Sequence, residues 1–258
     1  MRGSSLQLKA IVVIPARYGA TRFPGKPLAL LKGKPIIQWV YDRAKEATKI
    51  HDVIVATDDE RIMKVIINSG GKAVMTSKDH ATGTDRIYEV AKDIMCDIII
   101  NVQGDEPFIS PEMINHTVEL LSDERASIST LAKRIEEERD LLDPNVVKVV
   151  FDREGFALYF SRSTIPYYRD RWKNTSEINL KGGVKVYKHI GIYGYRRDVL
   201  LRLSKTPQSE LESIERLEQL RALENGFKIK VGITSFNTIG IDTPHDLKRA
   251  EEWLNSYL

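Results

Sequence analysis

Three observations in this sequence predict an α/β fold: a mainly parallel central sheet with helices on both faces, carrying a smaller inserted β-rich lobe. Short apolar runs alternate with amphipathic stretches through the first half. Loops rich in Gly, Asp and cations follow those runs, and from Ala126 the pattern changes to closely spaced β runs.

Ala10-Ile11-Val12-Val13-Ile14 is continuously apolar, as a strand covered on both faces requires. After a polar loop, Pro35 suits a first helical turn, and Ile36, Ile37, Val40, Ala44 and Ala47 share one helical face until about Thr48. Val53-Ile54-Val55-Ala56 is a second strand. Asp58 or Asp59 then caps a helix running to about Asn68, which Gly70-Gly71 ends, and Ala73-Val74-Met75 is a third strand. Thr84 is expected to cap a helix over 85–95, ahead of the strand Ile98-Ile99-Ile100-Asn101-Val102. Ser110-Pro111-Glu112 opens a further helix. Beyond Ala126 the β runs are 127–132, 146–151 and 157–160, the last two joined as a hairpin by Asp152-Arg153-Glu154-Gly155. Arg162 to about Tyr187 is polar, aromatic and irregular, and reads as a mobile lid. Ile190 to Tyr195 is a strand, Ser209 starts a helix that Gly226 stops, and Thr243-Pro244-His245-Asp246 caps the closing helix. No repeat, low-complexity tract or linker divides the chain. A single domain over 1–258 is expected, with a lobe at about 126–225.

Composition narrows the function classes. The chain has 258 residues, and 39 Lys plus Arg against 36 Asp plus Glu leave a net charge of +3, with the charges interspersed. Bulk charge gives no support to nucleic-acid binding. One cysteine, Cys96, rules out an intramolecular disulfide and a cysteine zinc cluster; it reads as a small apolar residue beside a strand. No apolar run reaches the roughly 18 to 20 residues that span a bilayer, and Met1 to Ser5 do not lead into a signal core. The expectation is a cytoplasmic protein without a membrane partner.

The loop after the first strand, Pro15 to Pro27, concentrates chemistry. Arg17, Arg22 and Lys26 match the charge of a triphosphate, and Gly19 and Gly25 let backbone N–H groups approach it. It is not a Walker A loop: five residues separate Gly19 from Gly25, and Lys26 is followed by Pro27 rather than a hydroxyl residue. Nor does a Gly-x-Gly-x-x-Gly follow the strand. A metal-bound nucleotide here would need carboxylates from elsewhere. Asp105, in Asn101-Val102-Gln103-Gly104-Asp105-Glu106-Pro107, stands just past a strand; Asp242 stands at the mouth of the last helix. Alone, Asp242 is equally a helix-terminal charge, but its pairing with Asp105 favours metal. Thr82-Gly83-Thr84-Asp85-Arg86 either reads a base or caps a helix. His189 and Tyr193 share a strand face, and Arg162 and Arg169 flank an aromatic stretch suited to an acidic sugar. By pattern alone Glu218 and Gln219 are surface residues, and a lone His such as His189 is more often structural than catalytic.

Several of these runs, in order and over nearly the whole chain, resemble the 3-deoxy-manno-octulosonate (Kdo) cytidylyltransferases. They are Ile14 to Tyr18 through Pro24 to Leu28, Val55 to Asp58, Gly83 to Arg86, Asn101 to Pro107, Tyr159 to Arg162, His189 to Tyr195, Leu217 to Arg221 and Asp242 to Pro244. The resemblance implies a Rossmann-like nucleotidyltransferase fold and transfer of CMP from CTP to the anomeric hydroxyl of Kdo, for lipopolysaccharide biosynthesis. It implies Mg²⁺ on Asp105 and Asp242, a nucleotide held by Ala16, Arg17, Arg22, Lys26, Gly83 and Thr84, and Arg17 and Lys26 acting with the two aspartates in catalysis. It assigns Gln103, Arg162, Arg169, His189, Tyr193, Glu218 and Gln219 to the sugar, and implies a homodimer. No pattern aligns over Arg171 to Val186.

Overall fold

A computed structural model describes residues 8–19, 22–80, 82–173, 178–180 and 183–257. The amino terminus, Ala20 and Thr21 of the cationic loop, and residues 174–177 and 181–182 of the irregular stretch lie outside the described residues.

Strand β1 (Ala10–Ala16) is central, flanked in parallel by β4 (Asp52–Thr57) and β6 (Ile98–Asn101), and β5 (Ala73–Met75) extends the same side beyond β4. Both faces of β1 are covered, which accounts for its unbroken apolar run. On the other side of β6 comes β10 (Tyr187–Arg196), antiparallel to β6 and to its next neighbour β7 (Ile128–Arg134), and β11 (Ile229–Ile233) closes the edge parallel to β7. The hairpin of β8 (Lys148–Phe151) and β9 (Ala157–Ser161) grows from the end of β10. A two-stranded ribbon, β2 (Leu30–Leu31) with β3 (Lys34–Pro35), lies apart from this sheet.

Helices cover both faces. Apolar residues of α1 (Ile36–Lys45), α2 (Glu60–Asn68), α4 (Pro111–Leu120) and α9 (Pro244–Tyr257) pack against one face of β1 and β6. Those of α3 (Gly83–Asp93), α6 (Arg197–Leu203) and α8 (Gln219–Glu224) cover the other, through Ile87, Val90, Leu200 and Leu220. Two further short helices, α5 (Glu138–Leu142) and α7 (Glu210–Glu215), belong to the second half.

Local expectations differ from the structure at three places. Pro35 precedes α1, which ends at Lys45 rather than near Thr48. Thr82 caps α3 in place of Thr84: its hydroxyl accepts from Asp85 N while Asp85 accepts from Thr82 N, a reciprocal box that leaves Thr84 inside the helix. The helix expected from Ser209 to Gly226 is broken, because Arg216 takes a left-handed conformation (φ 53°) and divides α7 from α8. The stretch read as irregular has no strand or α-helix among its described residues ahead of β10, and a small core of its own, where Trp172 is buried with Ile135, Leu141, Val184 and Val186. Cys96 fits its plain reading: half-buried before β6, its thiol is pushed up to about 11 by burial. Among the described residues no helix is long and apolar enough to cross a membrane.

Candidate active site

The loops after β1 and β6 meet above the carboxyl ends of the parallel strands, the usual ligand position in such sheets. Gly104 makes the meeting possible: a Cβ there would stand 2.7 Å from the carbonyl oxygen of Pro15. Gly25, at φ 72°, turns the β1 loop back so that Lys26 points into the space between the strands. The Lys26 ammonium donates to Asp105 Oδ2 at 2.6 Å and to Asp242 Oδ1 at 3.0 Å, and Arg22 reaches Asp242 Oδ2 at 3.0 Å. Asp105 and Asp242, 137 positions apart in sequence, are tied by their backbones as well, through Ile241 N to Asp105 O at 2.9 Å. The segment leading to Asp242 is anchored from β7, where the buried Lys133 donates to Ser235 O and Asn237 Oδ1.

Around these groups opens a cavity of about 470 Å³. Ala16, Arg17, Arg22 and Lys26 line it from the β1 loop, Gly83 from the start of α3, and Gln103, Asp105 and Asp242 from the opposite rim. All were singled out by the sequence. Thr82 and Arg86, from the stretch read as a base reader or a cap, line it too, as does His80, to which the sequence assigns no role. Arg86 is buried, donating to Asp58 at 2.8 Å, to the Thr76 hydroxyl and to Ser77 O. Glu106, one residue past Asp105, was also passed over: its Oε2 is buried and, among the described residues, has no hydrogen-bond partner. Burial, and secondarily the charge of Asp105, push its carboxyl up to about 7.

A second, narrower cavity of about 100 Å³ adjoins the first across Gly83 and Gln103. Thr84, Asn101, Tyr193, Tyr195, Glu218 and Gln219 line it. The break at Arg216 makes Glu218 the cap position of α8 and turns it inward, so the surface reading of Glu218 and Gln219 gives way to a pocket one. Burial raises the Glu218 carboxyl, opposed by a hydrogen bond with Thr84, and raises the phenols of Tyr193 and Tyr195. Thr84, read as a base reader or a cap, lines the smaller cavity beside Glu218 and Tyr195.

Three sequence candidates do not reach this cavity. The Arg162 guanidinium donates to the carbonyls of Pro144, Glu215 and Arg216, which holds the α7–α8 break in place. Arg169 stands exposed in the turn before Trp172. His189 lies behind Tyr193, ring centroids 5.2 Å apart, with Nε2 2.9 Å from the Thr130 hydroxyl; burial drops it to about 3.

The cytidylyltransferase family model matches residues 11–229. The 3-deoxy-manno-octulosonate cytidylyltransferase of Thermodesulfovibrio yellowstonii is 56% identical over 256 residues, covering 96% of this chain and 98% of that one. The chain belongs to this family. The Trichlorobacter lovleyi member is 52% identical, covering 95% of this chain and 98% of its own. Among solved structures, a CMP:2-keto-3-deoxy-manno-octonic acid synthetase complexed with CTP superposes with a TM-score of 0.89 at 42% identity, covering 97% of this chain and all of that one. A 4-diphosphocytidyl-2C-methyl-D-erythritol synthase from Anaerococcus prevotii, 16% identical with a TM-score of 0.63, shares the fold.

The donor set suits a hard divalent cation. Two carboxylates converge on one ammonium, the position a metal would take, and magnesium commonly uses one or two protein carboxylates and completes its shell with substrate phosphate and water. Among the described residues no group of three or more His, Cys, Asp or Glu forms a self-sufficient metal site.

Proposed function

We infer that the chain transfers CMP from CTP to the anomeric hydroxyl of Kdo, releasing diphosphate. The observation that carries this reading is Lys26 held between Asp105 and Asp242 on the wall of a cavity lined by further cations, beside a narrower pocket of hydrogen-bonding groups. The hydroxyl oxygen forms a bond to the α-phosphorus as the bond from that phosphorus to the β-bridging oxygen breaks. Such a displacement depends chiefly on in-line placement and on neutralising phosphate charge.

Asp105 and Asp242 would hold Mg²⁺ there; when bound, it polarises the phosphoryl oxygen and lowers the charge that opposes attack. Lys26, released from the aspartates, stabilises charge developing on the transferring phosphoryl. Arg17 and Arg22 neutralise the departing diphosphate, and the segment at Gly83 and Thr84 takes the base. Tyr193, Glu218, Gln219 and Gln103 hold the sugar acid and set its hydroxyl in line. We place the protein in the cytoplasm, where CTP is found, supplying an activated sugar for lipopolysaccharide synthesis. We further propose a homodimer formed through the lobe at 126–225, on the strength of the exposed Leu142, Leu158 and Ile214 there. Sedimentation as a monomer at micromolar concentration would remove that last proposal.

The decisive assay is diphosphate release from each of the four ribonucleoside triphosphates with Kdo, with sialate or with no sugar, with and without Mg²⁺. The expected result is release only with CTP, Kdo and metal together. Release with CTP and a different acid would change the acceptor, and no release under any condition would reject the transferase reading.

A further inference from the structure

The wall of the larger cavity formed by His80, Thr82, Gly83 and Arg86 carries a polar arrangement that the reading above leaves unused. The Nε2 of His80 lies against Glu89 Oε2, and the same oxygen accepts from Ser77 N at 3.0 Å. The Ser77 amide holds the Glu89 carboxyl below its usual range, with His80 adding to the effect. Glu89 is therefore ionised and offers only acceptors, so the proton between the two side chains belongs to His80 Nε2. In the neutral ring this fixes the tautomer and leaves Nδ1 as an acceptor.

The other side chains on that wall are already committed. The Thr82 hydroxyl is engaged twice by Asp85, and the Arg86 guanidinium is divided among Asp58, Thr76 and Ser77. Among the described residues, His80 Nδ1 has no hydrogen-bond partner. Of the side chains on this wall, His80 thus keeps one uncommitted acceptor, three residues before the helix start at Gly83 in the segment read as taking the base. Cytosine and uracil differ most at position 4, where cytosine has an amino donor and uracil a carbonyl acceptor. An acceptor fixed against position 4 favours the first and repels the second.

Resting on the reading of this cavity as a CTP site, we propose that His80, held in its Nε2–H tautomer by Glu89, is a specificity residue that accepts from the 4-amino group of the cytosine base. Glu89 is its positioning residue.

Calorimetric titration with CTP and with UTP, in Mg²⁺ buffer at pH 8 without sugar, tests this for the full chain and three variants. His80→Ala is expected to lose about tenfold or more of the preference for CTP, with UTP affinity changed less than about threefold. His80→Asn, whose amide oxygen can take the place of Nδ1, is expected to recover part of the preference. Glu89→Gln, which leaves the tautomer unfixed, is expected to lose about threefold. Should the alanine variant fail to fold, His80→Phe keeps a ring without an acceptor and is read in the same way. An unchanged CTP to UTP ratio in the folded His80 variant, or equal weakening of both nucleotides, would overturn the proposal by reducing His80 to wall packing. Selective CTP binding by the unaltered chain without transfer to Kdo would reject the transferase reading and leave this inference standing. No preference for CTP in the unaltered chain would reject both.

Discussion

The two adjoining cavities manage polar groups in opposite ways. In the larger, charge meets charge: Lys26 and Arg22 are satisfied by Asp105 and Asp242, with Arg22 and Asp242 substantially exposed. In the smaller, no cation lines the wall, and burial is the leading cause that raises the Glu218 carboxyl and the phenols of Tyr193 and Tyr195. Ion pairs of the first kind are exchangeable, because an incoming polyanion can take the lysine and arginine from the carboxylates at modest cost. Buried groups without such partners are not exchanged; they wait with a fixed hydrogen-bond pattern and reject what does not fit it. One end is built to be rearranged by its ligand and the other to select one.

The sharpest way to break this contrast is Lys26→Met. If the ammonium acts on the transferring phosphoryl, the single-turnover rate of diphosphate release falls on the order of 10² to 10³-fold. A raised KM for CTP with an unchanged single-turnover rate would leave Lys26 a binding group only. Asp105→Asn belongs to the same test: turnover is expected to be largely lost while thermal unfolding stays cooperative.

The buried end makes a prediction in pH. His189 is lowered by burial to about 3, so between its ordinary range near 6.5 and pH 3 the unfolded chain binds a proton that the folded chain refuses. Stability associated with His189 is complete above about pH 6.5 and declines as pH falls through that window, by ~5 kcal/mol at most. Urea unfolding of the unaltered chain and of His189→Gln, compared at pH 7 and pH 4.5, checks it. The variant should close the gap or overtake as the medium becomes acidic, and a constant difference would show that His189 is not the group involved.

A smaller effect is expected from Glu218→Ala, which removes the carboxyl beside Thr84 in the smaller cavity. KM for Kdo should rise about tenfold with KM for CTP little changed, whereas Glu218→Gln, which keeps the shape and one acceptor oxygen, should cost less. Parallel changes in both KM values would mean that Thr84 transmits the loss to the nucleotide side. The least consequence attaches to the exposed Arg22 and Asp242 pair. Arg22→Gln should alter the unfolding free energy of the free protein by less than about 1 kcal/mol, measured by urea titration at low and high salt.

The same contrast governs what could be read from residues alone. The charged end was legible because its parts are local: a strand of Ile and Val, then Arg17, Arg22 and Lys26 within ten residues, and an aspartate directly after another strand. The buried end was not, because Glu218 turns inward only through a left-handed Arg216, a conformation no glycine announces, stabilised by Arg162 from a distant strand. Thr82 was missed as a cap because Thr84 offers the same chemistry two residues later; only the reciprocal bond with Asp85 decides between them. The role of Arg162 shows the converse error: an arginine beside aromatics suggested a ligand, yet its donors are spent on carbonyls. His80 had no readable signal, since its partner Glu89 sits a full helical turn inside α3.

Strand β10 has a bearing on how such enzymes diversify. It runs through the middle of the sheet, pairs with β6 on the nucleotide side and with β7 and β8 on the other, and supplies Tyr193 and Tyr195 to the narrow cavity. The acceptor-facing half is therefore not a cassette that recombination can trade between lineages: exchanging it would pull a central strand out of the recipient. On the proposed assignment of Tyr193, Glu218 and Gln219 to the acceptor, a lineage adopting a different sugar acid would have to do so by substitution in place, at these residues and their immediate neighbours, while the nucleotide end passes down unaltered.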